Sequence, residues 1–197
     1  MTDPFRLILA SASPRRQQLL AEAGFEFEVN PSDVDEQSIG AGLGAGDLAE
    51  RLAEMKADAV SRQLPNDVIL AADTVVAYLD RVLGKPRDAK DAERMLRVLS
   101  GTAHSVITGV AVYRRSIGHF RHTRVLSAVH MRELTDNEIH AYVQSKQWEG
   151  KAGGYGIQDP DPFVTRVSGS QTNIVGLPIE LVTEMLAEVD IRLGTWL

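Results

Sequence analysis

The hydrophobic pattern switches repeatedly between a period of two and a period near 3.6, and each switch marks an element. Arg6-Leu-Ile-Leu-Ala10 is a short apolar run and predicts a buried strand. Ser13 and Pro14 supply an N-cap and a first-turn proline for a helix reaching Ala23, with Gly24 placed to end it. Phe25 to Val29 alternates as a strand does. Residues 31–46 are polar and glycine-rich, and Asp47 is the predicted cap of a helix to about Gln63. Asp67–Ala72 is a second buried strand, continued or paired by Thr74–Leu79. Asp88 opens a helix with Ala92, Met95, Leu96 and Leu99 on one face and Gly101 past its end. Two long β-rich stretches, His104–Tyr113 and His119–Met131, flank polar residues as hairpin arms do. Thr135-Asp-Asn-Glu138 is a capping box for a helix through Ile139, Tyr142 and Val143. Gly150–Gln158 is a glycine-rich loop and Phe163–Val167 a strand. Pro178 starts a last helix carrying Leu181, Val182, Met185, Leu186 and Val189. Interleaved helices and strands with one long hairpin predict an α/β protein on a mixed sheet in three layers, a single domain over residues 1–197.

Composition narrows the classes. Twenty-seven acids against 21 bases give net −6 over 197 residues, which disfavours broad nucleic-acid binding while leaving room for a local basic pocket. Cysteine is absent, so disulfides, thiolate metal sites and cysteine nucleophiles are excluded. No apolar run approaches the ~20 residues that span a bilayer. The first residues carry no signal-peptide pattern, so the expectation is a cytoplasmic protein with no membrane partner.

Five features fit poorly with a purely structural role. Arg15 and Arg16 stand in the first turn of a helix, where the partial charge is already positive. Their spacing to Leu19 turns both toward the helix's inward stripe. With Ser11 and Ser13 before them, they describe an anion cradle; a plain cap with solvated arginines is the alternative. Asp73 interrupts Val68-Ile-Leu-Ala-Ala72 and Thr74-Val-Val-Ala77. Either it meets a cation, a metal or donors, or the strand ends there and sets it at a ligand-binding edge. Lys56 falls at about 80° on a wheel with Leu48 at zero, inside the apolar arc of its helix, and an inward lysine calls for an anion. A snorkelling stem is its alternative. Gly84-Lys85-Pro86 fixes a fourth basic group in a rigid turn. Glu36, in Asp33-Val-Asp-Glu36, offers a carboxylate that either ligates a hard metal or lies in a solvated loop. In Lys151-Ala-Gly-Gly-Tyr-Gly-Ile-Gln158 the glycines allow close backbone approach to a ligand, and Gln158 has a donor and an acceptor for a base edge.

Other motifs fail. Gly84-Lys85 is followed by Pro86, not the Ser or Thr of a P-loop. Gly40-Ala-Gly-Leu-Gly-Ala45 fits a dinucleotide fingerprint formally but lacks the βαβ unit and reads as a flexible loop. There is no HExxH and no GxSxG. His119 and His122 point to opposite faces of a strand, and these two with His130 and His140 read as surface residues.

Leu9-Ala-Ser-Ala-Ser-Pro-Arg-Arg16, Val34-Asp-Glu36, Arg51-Leu-Ala-Glu-Met-Lys56 and Ala72-Asp-Thr74 belong together in order and spacing. So do Gly84-Lys-Pro86, Ser100-Gly-Thr-Ala-His104, Gly150-Lys-Ala-Gly-Gly-Tyr-Gly-Ile-Gln158 and Val175-Gly-Leu-Pro178. In these residues the chain resembles the Maf-like nucleotide pyrophosphatases along nearly its whole length. The resemblance implies a Maf/ITPase-like fold, an elongated, twisted mixed sheet flanked by helices with the active site in a cleft between two lobes. It implies hydrolysis of a nucleoside triphosphate to monophosphate and pyrophosphate with Mg²⁺ or Mn²⁺, in a cytoplasmic homodimer. Asp73 corresponds to the general base. Ser11, Arg16, Lys56 and Lys85 correspond to substrate ligands, and Glu36 with Asp73 to metal ligands. Arg15, Thr74 and Gln158 match the set of the dTTP- and UTP-preferring branch; the branch preferring 7-methyl-GTP has Trp, Gln and Glu instead. Asp159-Pro160 departs from the glycine that often follows, so a stiffer, more acidic loop is expected to bear on base choice. Two rivals to the enzyme remain, a non-catalytic nucleotide-binding regulator of cell division and a nucleic-acid-binding regulator. The charge of −6 disfavours the latter.

Overall fold

The computed structural model describes residues 5–36, 42–160 and 163–192. Gly40 and Ala41 of the fingerprint-like run lie outside the described residues, as do Met1–Pro4. No helix among the described residues is long and apolar enough to cross a membrane.

The chain opens with β1 (Leu7–Leu9), α1 (Pro14–Glu22), β2 (Glu28–Val29) and α2 (Ala45–Gln63). It continues through β3 (Val68–Tyr78), β4 (Arg81–Leu83), α3 (Ala89–Leu99) and the hairpin arms β5 (Ala103–Arg114) and β6 (His119–Met131). α4 (Asp136–Gln144), β7 (Val164–Ser168), α5 (Gln171–Val175) and α6 (Ile179–Ala187) complete it. The predicted caps form at α3, where the Asp88 carboxylate accepts from Asp91 N at 2.7 Å, and at α4, where Thr135 and Glu138 close the capping box.

Some expectations need correction. α2 starts at Ala45 with Gly44 as N-cap; Asp47 sits inside the first turn and its carboxylate pairs with Arg124. The buried face of α2 is also rotated by roughly 60° from the predicted arc. Ala57 and Ser61 are buried and Met55 and Ala59 only half-buried, because α2 lies across β3 and β5 rather than along one strand. Pro178 is the cap of α6, and Val189 packs into the core just beyond the helix. β4 and α5 had no forecast of their own.

One seven-stranded sheet runs in the order β2-β1-β3-β5-β6-β7, with β4 paired to β3 off that path. β1 is parallel to β2 and β3 and the other pairs are antiparallel, so the sheet is mixed as predicted. Period-two alternation on β3 divides the interior. Ile69 and Ala71 meet Ala53, Ala57 and Val60 of α2 on one face. Val68, Leu70 and Ala72 meet Leu20 of α1 and Val182, Met185 and Leu186 of α6 on the other, which makes three layers at this end. Farther along that second face Val76 belongs to a separate cluster with Leu96 and Leu99 of α3 and Ile139 of α4. The two clusters are two lobes, and Thr74 falls between them.

The edge of β3 is interrupted at the same place. β1 covers that flank of β3 as far as Leu70, paired with Leu9, and β4 covers it only from Val76, paired with Leu83. Between them, on that flank, no strand among the described residues covers Ala71–Val75, while β5 pairs the other flank throughout. This notch is where both faces of one strand reach a common cleft.

Candidate active site

Asp73 and Thr74 occupy the notch and point to opposite faces of β3. The strand does not end at Asp73. Of the two outcomes open from sequence the first holds: the buried carboxylate meets a cation, with Lys56 Nζ donating to its Oδ1 at 2.6 Å. Lys56, itself buried, projects from α2 toward β3 and also pairs with Glu36 Oε1 at 2.7 Å. Glu36 is pushed up by burial, but the Lys56 hydrogen bond and the charges of Lys56, Lys85 and Arg16 outweigh this and hold it below the usual carboxylate value. Asp73 Oδ2 has no hydrogen bond among the described residues.

On the other face, α1 directs its N-terminus at the cleft. Ser13 occupies the cap position with extended backbone, yet its side chain makes no capping bond, and no acid stands in the first turn. Those N–H donors remain for a ligand. Arg15 Nη2 donates to the Gly150 carbonyl at 2.9 Å, which ties α1 to the glycine-rich loop. Arg16 is 9% exposed, and three protein oxygens fix it. Nε donates to Gly176 O at 2.8 Å, Nη1 to Ser11 Oγ at 3.1 Å and Nη2 to Thr74 Oγ1 at 3.0 Å. None of these is anionic, and Arg16 forms no ion pair among the described residues. Burial pushes its guanidinium below the ordinary value, against the pull of Asp73. Burial does the same to Arg15, with Asp159 opposing it.

All nine predicted site residues line one cleft of about 310 Å³: Ser11, Arg15, Arg16, Glu36, Lys56, Asp73, Thr74, Lys85 and Gln158. Lys151 and Tyr155 join them. In a chain of net charge −6, five cations and two carboxylates face this space. A buried arginine without an ion-pair partner among the described residues, three lysines and an open helix N-terminus make a receptor for a polyanion.

Several contacts that shape the cleft were not foreseen. Lys151 pairs with Asp159, which turns away from the cleft and accepts from Tyr142 Oη at 2.5 Å and from Gly156 N at 2.9 Å. His104 is buried against Tyr155, with Nε2 and the phenol oxygen 2.6 Å apart, and Nδ1 has no partner among the described residues. Thr108 and Asn173 lie behind Thr74. A capped pair such as Lys151 and Asp159 leaves no periodic trace in a sequence, and the register that opposes Thr74 to Thr108 is a property of the assembled sheet. Of the histidines, His119 is half-buried rather than on the surface, while His122 and His130 are exposed.

The donor set suits a hard divalent ion. Glu36 and Asp73 converge on one cation, the Lys56 ammonium, through oxygen atoms alone; Mg²⁺ and Mn²⁺ take such oxygens, with one or two carboxylates completed by phosphate and water. No cluster of three or more metal-ligating side chains occurs among the described residues.

A mixed α/β sheet with a cationic cleft at an interrupted strand edge defines a polyanion-binding protein. The chain belongs to the Maf family: the family model described as Maf-like protein matches residues 6–189. A dTTP/UTP pyrophosphatase of Cereibacter sphaeroides is 47% identical, covering 95% of this chain and 96% of the relative. One of Geobacter sulfurreducens is 45% identical over 93% and 96%, and one of Rhodopirellula baltica 42% over 93% and 82%. Among solved structures, a HAM1 protein from Coxiella burnetii aligns with 65% of this chain and 73% of its own at 15% identity, with a TM-score of 0.46.

Proposed function

We propose that this protein is a nucleoside triphosphate pyrophosphatase that hydrolyses dTTP and UTP to the monophosphate and pyrophosphate. The observation that carries the reading is Arg16, a buried guanidinium with no carboxylate partner among the described residues, in a cleft with four more cations. The names of the relatives supply the substrate class, and Arg15, Thr74 and Gln158 supply the pyrimidine preference.

The polyphosphate lies along α1's N-terminus, neutralised by Arg15, Arg16, Lys56 and Lys85. Glu36 and Asp73 would hold Mg²⁺ or Mn²⁺, which when bound adds Lewis-acid neutralisation of the phosphate oxygens. Asp73 Oδ2 orients a water and takes its proton as the water attacks the α-phosphorus, and pyrophosphate departs against the cations. Lys56 holds Asp73 in place through its Oδ1. Gln158, on the glycine loop, reads the base edge with its amide. A homodimer and a cytoplasmic location belong to the same proposal through the family resemblance.

The test is a panel of canonical and modified triphosphates with Mg²⁺, scoring pyrophosphate and monophosphate separately. Monophosphate with intact pyrophosphate from dTTP and UTP is the expected result, lost in Asp73→Asn with folding retained. Diphosphate with orthophosphate, or full turnover by Asp73→Asn, overturns it.

A further inference from the structure

Thr74 and Thr108 are opposed across the β3–β5 pair, and their hydroxyl oxygens lie 3.0 Å apart. The direction of that bond follows from proton counting. A hydroxyl has one proton to donate. Thr108, fully buried, donates its own to the carbonyl of Asn173 at 3.0 Å. Thr74 is therefore the donor between the two threonines, and its remaining capacity is as an acceptor. That is the face it turns to Arg16 Nη2, 3.0 Å away. The chain of bonds has one polarity: Arg16 to Thr74, Thr74 to Thr108, Thr108 to the Asn173 carbonyl.

Its far end is rigid. Asn173 is fully buried, and its Nδ2 donates to Val106 O at 3.1 Å and Ser127 Oγ at 3.0 Å, which pins α5 to β5 and β6. The same short helix ends at Gly176, whose carbonyl accepts from Arg16 Nε. Gly176 sits at φ +122, a conformation that glycine favours, and a Cβ there would stand 3.3 Å from Thr74 Oγ1. Both contacts that α5 makes with Arg16, one direct and one relayed, thus set the guanidinium plane. Three of its five N–H groups are committed to protein oxygens. One remains on each terminal nitrogen.

We propose that Thr74 and Thr108 are positioning residues that aim Arg16 at the polyanion, and that Thr74 acts on base choice only through this relay. The inference rests on the pyrophosphatase reading and revises one part of it, since the resemblance alone links Thr74 to substrate selection. Thr108 does not line the cleft, so its hydroxyl acts on the ligand through the groups that hold Arg16: Thr74 directly, and α5 through the Asn173 carbonyl.

The test compares Thr74→Val, Thr108→Val, Thr108→Ser and the double valine variant in the full chain. The probes are inorganic pyrophosphate with Mg²⁺ by calorimetry, and kcat/KM for a panel of triphosphates. Each valine variant is expected to weaken pyrophosphate binding about tenfold, the scale of one hydrogen bond to a charged group. Every triphosphate should lose kcat/KM by a common factor, leaving the base ranking unchanged. The double variant should lose no more than either single one, and Thr108→Ser should restore binding. A changed base ranking in Thr74→Val beside a parent-like Thr108→Val overturns the proposal, and so do additive losses. A structural readout separates this from failure of the pyrophosphatase reading. The Arg16 side-chain N–H resonances should show a hindered Nη2 in the parent that is freed in both valine variants. If the parent hydrolyses no triphosphate, that signal still decides the relay. Should Thr108→Val not fold, Thr74→Val carries the same readouts, and unchanged Arg16 resonances there overturn the proposal.

Discussion

Gly109 lies opposite Asp73 across the β3–β5 pair, and a Cβ on it would stand 2.2 Å from the carbonyl oxygen of Ala49. The missing side chain lets the backbone of α2 settle onto the sheet. At that depth Lys56 reaches Asp73. Gly109→Ala is expected to lift α2, cost ~1–3 kcal/mol of stability by overpacking, and part the ion pair. Hydrolysis should fall at least tenfold. Denaturation together with initial rates checks this; a destabilised variant with parental kcat would show that α2 can move without loss of the site.

Removing Lys56 tests the electrostatics of the same pair. Its hydrogen bond and charge help hold Glu36 below the usual carboxylate value, while burial pushes the other way. In Lys56→Gln the upward push is opposed only by the charges of Lys85 and Arg16, and a cation between two carboxylates is gone. The acid limb of the kcat/KM profile should therefore move to higher pH, with less effect in Lys56→Arg. A limb that stays in place would place its control elsewhere.

How much of this was legible depended on the reach of each pattern. Lys56 could be placed because α2 has 19 residues, long enough that a rotated buried face still contains it. Asp73 stood out because a carboxylate inside an apolar run demands a partner. By contrast, α5 spans five residues, too few for a period to appear. Thr108 reads as one more β-branched strand residue until the hairpin register sets it against Thr74, 34 positions away. Asp159, with Pro160, is expected from sequence to make the loop stiffer and more acidic and so to bear on base choice. Its direction is set by Lys151 and Tyr142, which no local rule connects to it.

His104 gives the fold a pH dependence. Burial, aided slightly by His130, lowers it from 6.5 to about 4, so the folded protein holds it neutral. Between those values the unfolded chain binds the extra proton, and stability falls as pH drops from 6.5 toward 4. The full effect is ~3 kcal/mol. His104→Gln keeps a polar partner for Tyr155 and cannot titrate, so its stability should be flatter through that window. Urea midpoints at pH 7 and pH 5 for both proteins measure the difference, and equal slopes would remove His104 as the cause.

The last relationship concerns the loop that carries Gln158. Asp159 binds Lys151 with one oxygen, and Tyr142 Oη and Gly156 N with the other, so one carboxylate closes the loop on itself and anchors it to α4. Gly156 lies directly over the pair, where a Cβ would come within 2.8 Å of the Asp159 carboxylate and 2.9 Å of Lys151 Nζ. Burial, reinforced by the Asp159 bond, pushes the Tyr142 hydroxyl well above its ordinary range, so it stays a donor. Because both charges are largely buried, Asp159→Asn leaves Lys151 uncompensated and should cost ~3 kcal/mol. KM for dTTP should rise more than kcat falls, since Gln158 is displaced while Asp73 and Lys56 are untouched. Replacing both partners, Lys151→Met with Asp159→Leu, separates the two consequences. Removing the pair together should recover most of the stability but not the KM, because an apolar contact cannot hold Gly156 N or the Tyr142 hydroxyl. If the double variant regains both, the staple serves folding alone and Gln158 is positioned by other contacts.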